Sequence, residues 1–255
     1  MVQQWRTRGP EREQAVRVVA AMEDQTRRAV YGFLREAGNP VTREQVAQAC
    51  AISRSLAAFH LDKLVEIGLA ASGYDAVRRV HKVGRSPKLY RVTQREIQVS
   101  IPERQLAVLT DILLSAMADP NPGEAPLDAA LRVADSHGHE LGRSARSQLR
   151  GGRLGHERAL ALAQTTLRER GFEPYDAGPG CLRLRNCPFH AQAAHAPDLV
   201  CAINQRLLAG FLRGIGANNT QAVLDPREGE CCVELCEARP RHASPPRPSP
   251  LQSSP

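Results

Sequence analysis

From residue 24 onward, apolar positions fall at helical spacing, with Ala29, Val30, Phe33 and Leu34 on one face of a helix reaching Ala37. Gly38-Asn39-Pro40 stops it. A second helix is predicted from Thr42 to Cys50, with Thr42 and Gln45 spaced as a capping box and Val46 and Ala49 facing inward. Ala51-Ile52 turns the chain. Ser53 then caps a third helix to about Ile67, with Leu56, Leu61, Leu64 and Ile67 as its apolar stripe, and Gly68 ends it. Leu69–Ser72 and Lys88–Val92 read as two strands of a hairpin. The order is that of a helix-turn-helix followed by a wing.

Farther along, Pro102–Met117 predicts a strongly apolar helix carrying Leu106, Val108, Leu109, Ile112, Leu113, Leu114 and Met117. Residues 119–126 hold three prolines and a glycine and read as a linker. Helices follow over Leu127–His137 and Arg153–Arg170, with His137, His139 and His156 expected at the surface. The pattern then becomes mixed: strands at Phe172–Tyr175 and Cys181–Arg185, a helix at Pro197–Ile215, and strands at Thr220–Leu224 and Glu230–Cys236. The expected fold class is α+β. Its parts are an N-terminal extension (1–21), a winged helix-turn-helix (22–98), a dimerisation helix (101–118), the linker (119–126), a cysteine-rich mixed α/β sensor domain (127–238) and a disordered tail (239–255) whose Pro/Ser/Arg composition cannot pack a core.

Charge sharpens the picture. Residues 1–100 hold 17 Lys and Arg against 10 Asp and Glu, so the whole net charge of +7 lies in the front segment. That asymmetry favours a polyanionic partner there. The predicted third helix presents Arg54, Ser55, Ala57 and Ala58 early, with His60 one turn on, where a recognition helix reaches base edges. The hairpin adds Arg78, Arg79, Lys82, Arg85 and Lys88, with no acid from Arg78 to Arg91, a composition suited to phosphate contact. A palindromic double-stranded DNA operator needs two such modules, so a homodimer is expected. No stretch approaches the roughly 20 apolar residues of a membrane span, and the N-terminus has no apolar leader core, so a cytoplasmic location is expected.

Six of the seven cysteines lie between residues 181 and 236. In a reducing compartment, such a cluster points to metal binding or redox sensing. Cys187, Cys201 and one of Cys231 and Cys232 come from separate predicted elements. Cys231 and Cys232 both fall on the predicted Glu230–Cys236 strand, so alternation sends them to opposite faces and only one can easily serve. The long gaps suit a centre held by an already folded domain, and spacing alone discriminates weakly between zinc and iron.

Residues 42–92 resemble the winged-helix regulators of the ArsR-like superfamily. The segments Phe59–Leu69 and Gly84–Arg91 are similar to its SufR-related branch. Asn186-Cys187-Pro188-Phe189-His190, Leu199-Val200-Cys201, Leu224-Asp225-Pro226 and Cys231-Cys232-Val233 resemble the sensor half of SufR-type repressors. The resemblance implies a dimeric DNA-binding repressor of iron–sulfur assembly genes that carries an iron–sulfur cluster, 4Fe-4S in preference to 2Fe-2S. It carries Cys187 and Cys201 over as ligands, with Cys231 or Cys232 as the third. The fourth is left among Cys181, Cys236, Asp225, His190 or a small molecule. Two alternatives stand beside this expectation: the same regulator with zinc or a thiol–disulfide switch, and an enzyme using Cys187 as nucleophile with His190 nearby, for which no recognisable motif is present.

Overall fold

A computed structural model describes residues 9–74, 87–149 and 154–237. Arg78, Arg79, Lys82 and Arg85, and the expected tail, lie outside the described residues. Contacts divide the chain into two compact units, with the break between Ile101 and Pro102.

The first unit contains α1 (Gly9–Ala21), α2 (Gln25–Ala37), β1 (Val41–Thr42), α3 (Arg43–Ala49), α4 (Arg54–Glu66), β2 (Ala70–Tyr74) and β3 (Lys88–Val92). Local chemistry sets the boundaries. Asp24 accepts from the Arg27 amide to open α2, and Gly38 closes it in the left-handed conformation. Thr42 and Gln45 form the expected reciprocal capping box of α3. The turn into α4 passes through Ala51 at φ 53°, a conformation costly for a residue with a Cβ. Ser53 then caps α4 through the Leu56 amide. Strand β3 pairs with β1 on one side and β2 on the other, all antiparallel, with the β2–β3 ladder running from Ala70 opposite Val92 to Tyr74 opposite Lys88.

Three expectations change in this unit. Residues 9–21 are a helix within the domain, because Val18 joins the core with Val30, Leu34, Leu61 and Leu64. In α3 the buried pair is Val46 and Ala47, while Ala49 is exposed. In α4, Leu56 is exposed, and the inward stripe is Ala57, His60, Leu61 and Leu64.

The second unit contains α5 (Leu106–Ala118), α6 (Pro126–Ser147), α7 (His156–Arg168), β4 (Pro174–Gly178), β5 (Cys181–Leu184), α8 (His190–His195), α9 (Pro197–Ile215), β6 (Thr220–Leu224) and β7 (Val233–Glu237). Its antiparallel sheet runs β4-β5-β7-β6. Helix α6 continues well past His137, where the sequence predicts its end. Gly138 and Gly142 are there for contact with α9. A Cβ on Gly138 would lie 1.8 Å from the Leu207 carbonyl oxygen, and one on Gly142 2.3 Å from that of Phe211. Gly210 and Gly214 answer from α9, where a Cβ would stand 2.1 Å from the Asp135 oxygen and 2.3 Å from the His139 oxygen. Backbone therefore meets backbone across the crossing, and an Arg213–Asp135 ion pair flanks it.

Helix α5 belongs to the same core through Val108, Leu109, Ile112 and Ala116, while Leu106, Leu114 and Met117 stay exposed. Residues 119–126 are accordingly a loop inside one unit and not a boundary. Arg132 grips this loop through both Glu124 oxygens, at 2.8 Å each, and the Asp119 carbonyl. The Arg132 and Asn121 hydrogen bonds hold the Glu124 carboxyl down to about 2. Among the described residues, no helix is long and apolar enough to cross a membrane.

Placing valine at Gly138 is expected to unfold the second unit or lower its thermal midpoint by several degrees, because no side chain can yield in its place. Gly32→Ala on α2, where a Cβ meets nothing within 4 Å, is expected to hold or raise stability by about 0.5–1 kcal/mol. Thermal and denaturant melts followed by circular dichroism check both.

Candidate nucleic-acid interface and thiol centre

The outward face of α4 is formed by Arg54, Ser55, Leu56, Phe59 and Asp62, with Ala58 half-buried. Ala57, at 0% exposure, and His60 point into the domain instead, so neither can touch DNA from this helix. The error is one of phase: a 3.6-residue repeat anchored on Leu61 and Leu64 also brings 57 and 60 inward. Phe59 is the exposed aromatic of this face and stands edge-on to His60. Lys88, expected at phosphate, pairs with Asp62 of α4 at 2.7 Å, and the Tyr90 hydroxyl donates to the same oxygen at 3.1 Å. That triad ties the wing strand to the recognition helix. Cys50 packs against the domain core, and burial pushes its thiol up.

In the second unit, three segments converge. The first is the loop after β5, Arg185–Phe189, which carries Cys187. Asn186 fixes it: its Nδ2 donates to the Gly171 carbonyl at 2.5 Å and the Glu103 carbonyl at 3.2 Å, while its Oδ1 accepts from Arg104 at 2.5 Å. Arg104 also donates to the Cys187 carbonyl at 2.9 Å. The second segment is α9, whose second turn carries Cys201, with Asn204 one turn farther on. The third is the β6–β7 connection. Both Cys231 and Cys232 precede β7, so strand alternation does not separate them. The Cys231 amide donates to Leu184, and the Cys232 carbonyl accepts from Asp225, each at 2.9 Å.

The thiols of these segments form a hydrogen-bonded series, Cys187 to Cys231 to Cys232 to Cys201. Cys231 and Cys201 act as donors, and Cys187 and Cys232 as the thiolate-like acceptors. The bond from Cys231 outweighs burial and holds Cys232 down to about 6. The same neighbour, aided by the Phe189 amide, lowers Cys187. Burial and the bond to Cys232 push Cys201 up to about 12, and the bonds shared with Cys187 and Cys232, together with burial, hold Cys231 protonated well above the ordinary thiol value. Among the described residues no group of three or more Cys, His, Asp or Glu is set to hold a metal ion. The donor set nevertheless fits a thiophilic metal centre: four thiols, two of them held toward thiolate, on a wall of packed backbone.

The other candidate ligands go elsewhere. Cys181 and Cys236 face each other across β5 and β7 and form a disulfide. Asp225 belongs to Arg183, and His190 lies exposed at the start of α8. With Cys187 buried and bonded to Cys231, a Cys187–His190 nucleophile pair is not what the side chains form. His137, expected at the surface, is half-buried, and burial pushes its imidazole down.

Arg183 is the residue the sequence reading missed. Its side chain is 1% exposed, in the strand just before the Cys187 loop. It donates to Glu230 at 2.7 Å, to Asp225 at 2.6 Å, to Glu234 at 2.9 Å and to the Asp225 carbonyl at 3.0 Å. Burial works against its charge, but the Glu230 and Asp225 bonds outweigh it and raise the guanidinium pKa. One cation thereby fixes both ends of the connection that carries Cys231 and Cys232. Strand alternation places Arg183 on the face opposite Leu182 and Leu184, where a basic residue looks like an ordinary solvated position, so local pattern carries no signal of its burial.

Residues 22–72 match the family model of a helix-turn-helix domain. The match covers α2, α3, α4 and the first strand of the wing, the part whose geometry is described above, and it supports a DNA-binding transcriptional regulator over an enzyme. No curated protein matches the chain.

Arg183→Met should lower the thermal midpoint by several degrees near neutral pH, because Asp225, Glu230 and Glu234 then lose the buried cation they share. Among the described residues only Asp225 keeps a cationic partner, in Arg227. The Arg183 bonds hold the Asp225 carboxyl below its usual range, and the Tyr175 and Arg183 bonds do the same for Glu230. Depressed carboxyls stabilise the fold above the unfolded value of about 4 and lose that effect as pH falls through the folded value. The gap between variant and wild type should therefore be widest above about pH 5 and narrow below about pH 4. Melts across that range measure it.

Proposed function

We propose that the chain is a homodimeric, cytoplasmic transcriptional repressor whose operator affinity is set by an iron–sulfur cluster on Cys187, Cys201, Cys231 and Cys232. The observation that carries this reading is the gathering of those four thiols from three distant segments, in a chain that also holds a helix-turn-helix. The resemblance of the motifs around Cys187, Cys201 and Cys231 to SufR-type repressors supports iron over other metals and iron–sulfur assembly genes as targets. When bound, the cluster supplies a group that responds to iron supply and oxidants. The protein's own part is mechanical. With the four sulfurs joined, the Arg185–Phe189 loop, α9 and the β6–β7 connection are held as one body, and their release shifts the population toward a form of different DNA affinity. The exposed Leu106, Leu114 and Met117 of α5 supply an apolar strip for a second copy.

One observation favours zinc as a second reading. Neighbouring thiols are hydrogen-bonded in series, and four thiolates around one tetrahedral ion stand only about 3.8 Å apart for Zn–S bonds of about 2.3 Å.

Protein purified without oxygen is expected to be brown, with matched iron and sulfide. Cys187→Ser and Cys201→Ser should each abolish the visible absorption and change affinity for DNA selected by the wild type from a random pool, while Cys181→Ser retains the colour. A colourless protein with one zinc per chain selects the second reading. Protein holding neither metal, before and after reconstitution, overturns both.

A further inference from the structure

Asn204 is fully buried on α9, three residues after Cys201. Its Nδ2 donates to the Cys231 sulfur at 3.2 Å, and the same side chain hydrogen-bonds Cys232. Its Oδ1 is buried with no partner. An orphaned carbonyl oxygen carries a desolvation cost that a leucine of similar size would avoid. A polar group that satisfies only its donor end, against two sulfurs, suits neighbours that act as acceptors toward it. Metal-bound thiolates are anionic acceptors with no hydrogen to give. Toward them an amide gains from its N–H groups, and its oxygen has no role. Turned the other way, the oxygen would face electron-rich sulfur and be repelled. With metal bound, the thiol hydrogens are gone and every sulfur lone pair is free to accept, so the observed direction of the amide is the one the loaded site requires.

We infer that Asn204 is a positioning residue of the metal centre, a dedicated hydrogen-bond donor to the metal-bound sulfurs of Cys231 and Cys232, and that both of these adjacent cysteines are therefore ligands. This rests on the reading of the four thiols as a metal centre and extends it by naming the group that orients two of its sulfurs and tunes its potential. Hydrogen bonds to ligand sulfur offset negative charge and so favour the reduced state of a cluster.

The test compares the full-length wild type with Asn204→Leu, Asn204→Asp and Asn204→Gln, each loaded without oxygen with ferrous iron and sulfide, and separately with zinc. Circular dichroism checks folding; metal and sulfide content, midpoint potential and metal retention against a chelator are read. Asn204→Leu is expected to reach the wild-type stoichiometry, to bind metal roughly 10–100-fold more weakly, and to show a more negative midpoint. Asn204→Asp, which replaces the donor by an anion, should move further the same way, and Asn204→Gln, which keeps the amide, should recover part of the loss. If the leucine variant does not fold, the near-isosteric aspartate carries the comparison. A wild type that loads beside variants of unchanged affinity and potential overturns the role of Asn204 alone. A wild type that takes up neither iron–sulfur nor zinc overturns the metal centre itself, and the inference with it.

Discussion

The C-terminal unit depends on the close approach of α6 and α9. Four glycines, two on each helix and four residues apart, let the backbones meet where any side chain would stand within about 2 Å of a carbonyl oxygen. Helices that touch in this way are fixed in both separation and register, since a shift by one turn would drive Leu207 or Phe211 into the opposing backbone. Cys201 and Asn204 sit on the same rigid rod as Gly210 and Gly214. Their position relative to the sheet is thus set by a contact that begins within two turns of them, made of backbone atoms that have no rotamers.

The other two walls of the thiol centre are loops, which lack a ladder of their own and are held by polar side chains instead. Asn186 divides its amide between two carbonyls and a guanidinium, binding the Cys187 loop to the α7–β4 turn and to the approach to α5. Arg183 does the equivalent for the β6–β7 connection with three carboxylates. Buried polar groups contribute little net stability, yet they discriminate strongly among geometries, because any displacement leaves an unpaired charge or amide in a dry place. The arrangement pairs a non-polar, steric device for the helix with polar, directional devices for the loops.

How much of this was legible follows from the range of each interaction. The capping box at Thr42, the cap at Ser53, the stop at Gly38 and the span Pro197–Ile215 depend on residues within a turn of one another, and local pattern found them. The phase of α4 was misjudged because Leu56 is as apolar as Leu61, and only the packing of α2 and the sheet decides which of them turns inward. The end of α6 was misplaced because Gly138 looks the same in a stop signal and in a helix crossing; the difference lies in α9, some seventy residues on. Cys187 and Cys201 stood out by motif. The inclusion of both Cys231 and Cys232 did not, because it depends on where β7 begins. Arg183 could not be ranked from sequence, since its three partners are individually ordinary surface acids.

The disulfide between Cys181 and Cys236 has a topological consequence. The two positions are 55 residues apart, and Cys187, Cys201, Cys231 and Cys232 all lie between them. The bond turns the segment that supplies the centre into a covalent ring. On the chain-entropy view, closing a loop of that length removes about 4 kcal/mol of freedom from the unfolded chain. The ring also caps how far its four thiols can ever drift apart, so that even an opened domain keeps them at a high effective concentration toward one another.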